Sequence, residues 1–162
     1  MDKENRLDEV LSLLKRNNIQ FCVVGGQAVN AYVEPLVSLY LDLAVAADQL
    51  KQLEALMTTK YKTQRFPHSL NVNLPGSDLR LQIQTDKRYG DFVKQAELRE
   101  VLGLTIPVAK LGDVLRGKVW AVQDAERQAS KRQKDLADIA RILEAYPELR
   151  SQVPQDILNK LI

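Results

Sequence analysis

Cysteine and histidine each occur once in this 162-residue chain, as Cys22 and His68. A lone cysteine cannot close an internal disulfide, and no Cys/His cluster suits a structural zinc ion. A Ser-His-Asp site would have only His68 to draw on, and His68 sits beside Pro67 in a loop or strand entrance. This usage fits a reducing, cytoplasmic setting. Long hydrophobic runs are missing too. None approaches the roughly 20 apolar residues needed to span a bilayer. The N-terminus, Met1-Asp2-Lys3-Glu4-Asn5-Arg6, is charged and carries no apolar signal core. Charge of one sign is scarce: 23 Lys and Arg against 21 Asp and Glu leave a net +2, too little by itself to argue for DNA or membrane binding. Any basic surface must come from local clustering. There is no low-complexity linker and no repeat at solenoid spacing.

What remains is ordinary globular usage, 45% apolar and 27% charged, in a chain long enough for one domain with a substantial core. Leu7, Val10, Leu11 and Leu14 recur at helical spacing, so the first element is expected to be an amphipathic helix ending near Asn17-Asn18. Residues 19–24 are apolar and β-rich and read as a buried strand. Gly25-Gly26 breaks it, and Gln27 to Ala31 resume with helix formers. Residues 37–45 give the clearest strand signal. Val37, Leu39, Leu41, Leu43 and Val45 share one face; Ser38, Tyr40, Asp42 and Ala44 share the other. Asp48 is placed to cap the next helix, with the stripe Leu50, Leu53, Leu56 and Met57.

Further on, Leu70, Val72 and Leu74 alternate, Pro75-Gly76-Ser77-Asp78 turns the chain, and Leu79, Leu81 and Ile83 alternate with Arg80, Gln82 and Gln84. This predicts a β-hairpin. A helix is expected around Phe92, Val93 and Ala96, and a short strand near residues 105–108. From Leu111 the pattern is helical. Leu111, Val114, Leu115, Val119 and Val122 form one stripe; Leu136, Ile139, Ala140 and Leu143 form the next, which stops before Pro147. Residues 151–162 have room for one short helix. Mixed α and β first, then helices, predicts an α+β fold in a single domain, with an α/β core over about residues 1–108 and a helical part over 109–162.

Three features carry chemistry. Gly25-Gly26 lies between a strand and a helix, where glycines let a phosphate approach the backbone and a helix N-terminus supplies unpaired N–H groups. The plainer reading is a tight strand-to-helix turn. Asp42 is flanked by Leu41 and Leu43, where a carboxylate is expensive unless paired or metal-bound. The plainer reading is a solvated residue on a half-exposed strand. The third feature is the run Gly117-Lys118-Val119-Trp120-Ala121, followed by Arg127, Lys131, Arg132, Lys134, Asp135 and Asp138. Lys118 falls on an apolar stripe, so it either snorkels or reaches into a site. The i,i+4 pairs Lys131/Asp135 and Lys134/Asp138 read as a salt-bridged solvent face. Trp120 is expected to anchor the core and Cys22 to be a small buried apolar residue.

Taken in order, these features resemble the minimal nucleotidyltransferases of the DNA polymerase β superfamily, most of all the AbiEii-type toxin branch. The likeness covers roughly residues 19–146. Its motifs are Phe21-Cys22-Val23-Val24-Gly25-Gly26-Gln27-Ala28-Val29, then Ser38-Leu39-Tyr40-Leu41-Asp42, then Lys118-Val119-Trp120-Ala121, Arg127 and Lys134-Asp135-Leu136-Ala137-Asp138. The resemblance implies a nucleotidyltransferase-type mixed β-sheet with flanking helices. It implies a nucleoside triphosphate bound through Mg²⁺ and transfer of a nucleoside monophosphate to an acceptor hydroxyl on a protein, a tRNA or a small molecule. Asp42 would be the metal ligand and, with Lys118, a catalytic residue. Gly25, Gly26, Ser38, Lys118, Lys134 and Asp138 would hold the nucleotide.

The chain departs from that pattern. Tyr40 stands where the first strand aspartate belongs, and Gln82 is the best match for the third carboxylate. Asp86, at the strand end, could rescue the site if the strand curls inward. Phenol and amide are poor ligands for Mg²⁺. The expected function is therefore nucleotidyl transfer with a degenerate metal site; the alternative is an inactive relative that binds a nucleotide or a cognate partner, as in a toxin–antitoxin pair. An RNA-binding surface of Arg127, Lys131, Arg132 and Lys134 ranks last, since aromatics do not interleave it.

Overall fold

The computed structural model describes the backbone of residues 3–161 and the side chains of residues 6–161. Seven strands form one mixed sheet: β1 (Phe21–Val24), β2 (Tyr40–Val45), β3 (Lys62–Phe66), β4 (Ser69–Asn73), β5 (Arg80–Gln84), β6 (Glu97–Val101) and β7 (Leu104–Val108). Their spatial order is β3-β4-β5-β2-β1-β7-β6. The β1/β7 and β2/β5 pairs are parallel; the other four are antiparallel. The helices are α1 (Lys3–Arg16), α2 (Gly25–Asn30), α3 (Leu50–Lys60), α4 (Leu111–Gln123), α5 (Ala129–Ala145) and α6 (Gln155–Leu158). Among the described residues no strand follows Val108, and the elements beyond it are all helical. This is an α+β fold with a mixed sheet. No helix among the described residues is long and apolar enough to cross a membrane.

The apolar patterns read from the sequence fill the core. Leu7, Val10, Leu11 and Leu14 of α1 are buried, as are Leu53 and Met57 of α3. Leu41 and Leu43 of β2 are fully buried, each contributing about 1.5–3 kcal/mol on burial. The opposite face of β2 changes along its length: Ala44 is buried, whereas Tyr40 and Asp42 are half-buried. That uncovered half places Asp42 at the rim of the sheet's cover. Helices α2, α4 and α5 pack against one another, and α2 rests on β1 and β2.

Several expectations need correction. The strand expected over residues 37–45 begins only at Tyr40. Val37 is 96% exposed, so its apolar side chain finds no covering layer. The preceding loop is tied to α2 instead: Gln27 Nε2 donates to the Ser38 carbonyl at 3.0 Å, and the Asn30 amide bridges Leu36 N–H and C=O. Asp48 caps nothing. It lies in a 3₁₀ turn before α3, whose N-cap is Gln49 without a side-chain bond. The helix expected around Phe92 is a 3₁₀ segment, Lys87–Gln95, where Gly90 packs so close to Ala47 that a Cβ would lie 2.8 Å from its backbone nitrogen. Strands β3 and β6 have no counterpart in the sequence reading. They are the two edges of the sheet, mostly exposed and polar, and so lack the alternation that marks a covered strand.

Candidate functional site

The site grows from the junction of β1, β2 and β5. Val24 ends β1 opposite Asp42 of β2, and Gly25 follows at φ +71°. A Cβ on Gly25 would collide with Asp42 Oδ2, so glycine is required there both by the backbone and by the packed carboxylate. Gly26 is different. Its Cβ would lie 3.9 Å from both Ser38 Oγ and Asp138 Oδ2, which is ordinary contact. Both glycines belong to α2 itself, so the expected turn is the first turn of a helix only six residues long.

Asp42 is aligned with Gln82 on β5, and Gln82 with Asn71 on β4, so the three form one row across the sheet. Asp42 Oδ1 and Asn71 Oδ1 are buried without hydrogen-bond partners. Burial pushes the Asp42 carboxyl up to about 6; Lys118 and Arg127 oppose the rise, Asp135 adds to it, and Lys134 opposes it.

The next row pairs Tyr40 with Arg80. Arg80 Nη1 donates to the Tyr40 hydroxyl at 2.9 Å. Three cations surround the Tyr40 ring: Arg80 Cζ at 5.5 Å, Lys134 Nζ at 5.7 Å and Lys131 Nζ at 5.9 Å from its centroid. On sequence alone Arg80 reads only as filler on that face. Its two-residue offset from Gln82 is the signal that places it in the same cleft.

Lys118 is buried and lies between two buried carboxylates, 3.0 Å from Asp135 Oδ1 and 2.8 Å from Asp138 Oδ2. Burial pulls its ammonium down, but Asp135 and Asp138 outweigh that and hold its pKa above the ordinary lysine value. Arg127 grips Asp135 with two N–H groups at 2.6 and 3.2 Å. Arg141 donates to Asp138 at 2.8 Å, and also to Asn30 Oδ1 and the Glu34 carbonyl. The reading of Asp135 and Asp138 as solvent-face partners of Lys131 and Lys134 is therefore corrected. Both aspartates are buried and their charge partners come from α4, the α4–α5 loop and Arg141. Arg132 turns to the Asp124 and Arg127 carbonyls rather than extending a basic stripe.

Asp86 is engaged by Arg88 through the guanidinium at 2.7–3.2 Å and through the backbone N–H at 3.0 Å; that bonding holds its carboxyl below the ordinary range. With His68, Trp120 and Arg127 it lines a cavity of about 210 Å³. Trp120 is half-buried there, stacked on Phe92 at 5.4 Å and covered by Arg88 at 4.4 Å. His68 is exposed, 3.9 Å from Asp124. Cys22 is buried, and burial pushes its thiol up to about 12.

Magnesium asks for hard, charged oxygens. Here Asp42 is flanked by an amide and by a phenol already bonded to Arg80. Among the described residues no group of three or more His, Cys, Asp or Glu side chains is placed to hold a metal ion. The donor set does not fit a pair of magnesium ions.

No protein-family model matches the sequence, and no curated protein matches it closely enough to count as a relative. Solved structures do match. The antibiotic-resistance factor ANT(2'')-Ia, in solution, superposes with a TM-score of 0.60 at 11% identity over 99% of this chain and 90% of its own. The same enzyme in a crystal with adenylyl-2''-tobramycin gives 0.58 at 12% identity, over 86% and 87%. An antigenic nucleotidyltransferase-like protein of Paracoccidioides brasiliensis gives 0.55 at 19%, over 99% and 88%. The lincosamide adenylyltransferase LnuA, bound to lincomycin, gives 0.50 at 14%, over 87% and 98%. The chain has the nucleotidyltransferase fold.

Proposed function

We propose that this chain binds a nucleoside triphosphate in the cleft beside Asp42 and has lost metal-dependent nucleotidyl transfer. The observation that carries this reading is the row Asp42, Gln82, Asn71 beside Tyr40: one carboxylate where the resemblance calls for three. Phenol and amide offer Mg²⁺ no charged oxygen, so in that row Asp42 alone would have to hold on the protein side what a pair of carboxylates shares elsewhere. The fold supports the nucleotide. ANT(2'')-Ia carries an adenylylated antibiotic in one of its structures, and LnuA is an adenylyltransferase holding its antibiotic. Six cations against three carboxylates, Asp42, Asp135 and Asp138, give the fully ionised cluster a net +3, which favours an anionic ligand. An acceptor, whether tRNA, protein or small molecule, then has no transfer step to enter.

The test is label transfer from each α-labelled nucleoside triphosphate, with Mg²⁺ or Mn²⁺, to a tRNA or protein extract. The expected result is no transfer above background. Efficient transfer abolished by Asp42→Asn would overturn the proposal. Tyr40→Asp with Gln82→Asp restores the missing carboxylates, and appearance of Mg²⁺-dependent transfer in that variant supports the assignment of those two positions.

A further inference from the structure

We infer that Arg80, Lys131 and Lys134, gathered around Tyr40, hold the polyphosphate directly, so that free triphosphate binds more tightly than its magnesium complex. This rests on the nucleotide reading above and specifies how the nucleotide is anchored. Where a carboxylate at position 40 would attract a metal ion, a neutral phenol stands among three cations within 6 Å of its ring centroid. The phenol also aims them. Its hydroxyl takes one N–H of the Arg80 fork, which orients a guanidinium that carries five donors.

The two lysines are available for an anion because of the network behind them. The carboxylates one turn further along α5, Asp135 and Asp138, are taken by Lys118, Arg127 and Arg141. Among the described residues no carboxylate forms an ion pair with Lys131 or Lys134, and Lys134 is exposed. The three cations come from different elements, β5 and α5, meeting over β2. That arrangement can contact several phosphoryl groups at once, and guanidinium and ammonium both pair with phosphate oxygens.

The metal dependence follows from charge. A cluster of net positive sign repels free Mg²⁺. It also gains less from a triphosphate whose charge Mg²⁺ has already halved. At physiological salt the difference is about five- to tenfold in affinity, in favour of the free form.

The experiment is titration calorimetry on the full chain with ATP and, separately, inorganic tripolyphosphate, each in EDTA and in excess Mg²⁺. Binding is expected to survive EDTA and to weaken about five- to tenfold in Mg²⁺. Arg80→Ala and the double change Lys131→Ala with Lys134→Ala are each expected to weaken both ligands by about tenfold or more, while Lys51→Ala, an exposed lysine on α3, is without effect. Circular dichroism on each variant establishes that it is folded. Should Arg80→Ala not fold, the lysine pair carries the test. ATP binding that requires or is strengthened by Mg²⁺ overturns the inference and leaves the nucleotide reading standing. Wild-type affinity in the folded variants overturns it as well. Tripolyphosphate binding without ATP binding supports the cation cluster and overturns the nucleotide reading. Absence of binding to either ligand in either condition overturns both.

Discussion

Replacing Asp42 with asparagine removes the charge of the one carboxylate left in the cleft while nearly keeping its shape. The carboxyl is pushed up to about 6 in the folded chain against an ordinary 3.8, chiefly by desolvation, its Oδ1 being buried without a hydrogen-bond partner. A raised acid favours the native state only while it is neutral. That contribution is full below 3.8 and is lost as pH rises through about 6, so ionised Asp42 costs the fold about 3 kcal/mol above that point. The amide of the variant does not titrate. The stability of Asp42→Asn relative to wild type should therefore climb by about 2 kcal/mol between about pH 4 and pH 7, equivalent to about 4–8 °C in Tm for a chain of this length. Any constant difference in packing or hydrogen bonding between the two side chains cancels, because only the change with pH is read. Parallel thermal melts of both proteins across that range measure it. A gap that does not vary with pH, or one in which wild type gains on the variant as pH rises, would refute the reasoning. It would mean that Lys118 and Arg127 match or outweigh burial, and that Asp42 is an ordinary ion-pair partner.

The two glycines separate cleanly. Gly25→Ala should destabilise by more than about 2 kcal/mol in urea denaturation, since the φ of +71° alone costs about 1–2 kcal/mol and the new methyl meets the Asp42 carboxylate. Gly26→Ala should change stability by less than about 1 kcal/mol, and in the stabilising direction, because it has ordinary space within a helix. Lys118→Met should cost about 3–5 kcal/mol by denaturant titration, because it leaves Asp135 and Asp138 buried with one cation fewer. Unchanged stability in that variant would show that Lys118 serves a ligand and not the packing of α4 on α5.

Most of the scaffold is legible in the sequence wherever a strand or helix has one covered face. The stripes of α1, α4 and α5 and the alternation in β2, β4 and β5 all belong to such elements. The edge strands β3 and β6 escape because an edge strand is polar on the outside and short of apolar neighbours. At the site, strand parity alone puts Tyr40, Asp42, Gln82 and Arg80 on facing positions, and the register of β2 with β5 agrees with that parity. What parity cannot supply is the third dimension. The sequence pairs Lys131 with Asp135 and Lys134 with Asp138 along one helix. In the fold, α4 offers those aspartates the buried Lys118 and the α4–α5 loop the half-buried Arg127, and Coulomb attraction is stronger in that less polar setting than on an exposed helix face.

That exchange of partners separates two jobs within one motif. Lys118, Arg127 and Arg141 neutralise Asp135 and Asp138 and join α4 and α5 to the end of α2 and the loop after it, through the Arg141 bonds to Asn30 and Glu34. This part of the motif is explained by packing, with no ligand required. The same exchange releases Lys131 and Lys134 towards Tyr40, where Arg80 already stands. A carboxylate at position 40 would have paired with those cations and offset one of their three charges. Tyrosine leaves the field intact. The residue that spoils the site for a metal is thus the residue that makes it attractive to a polyphosphate, and the two consequences stand or fall together when Tyr40 is changed to aspartate.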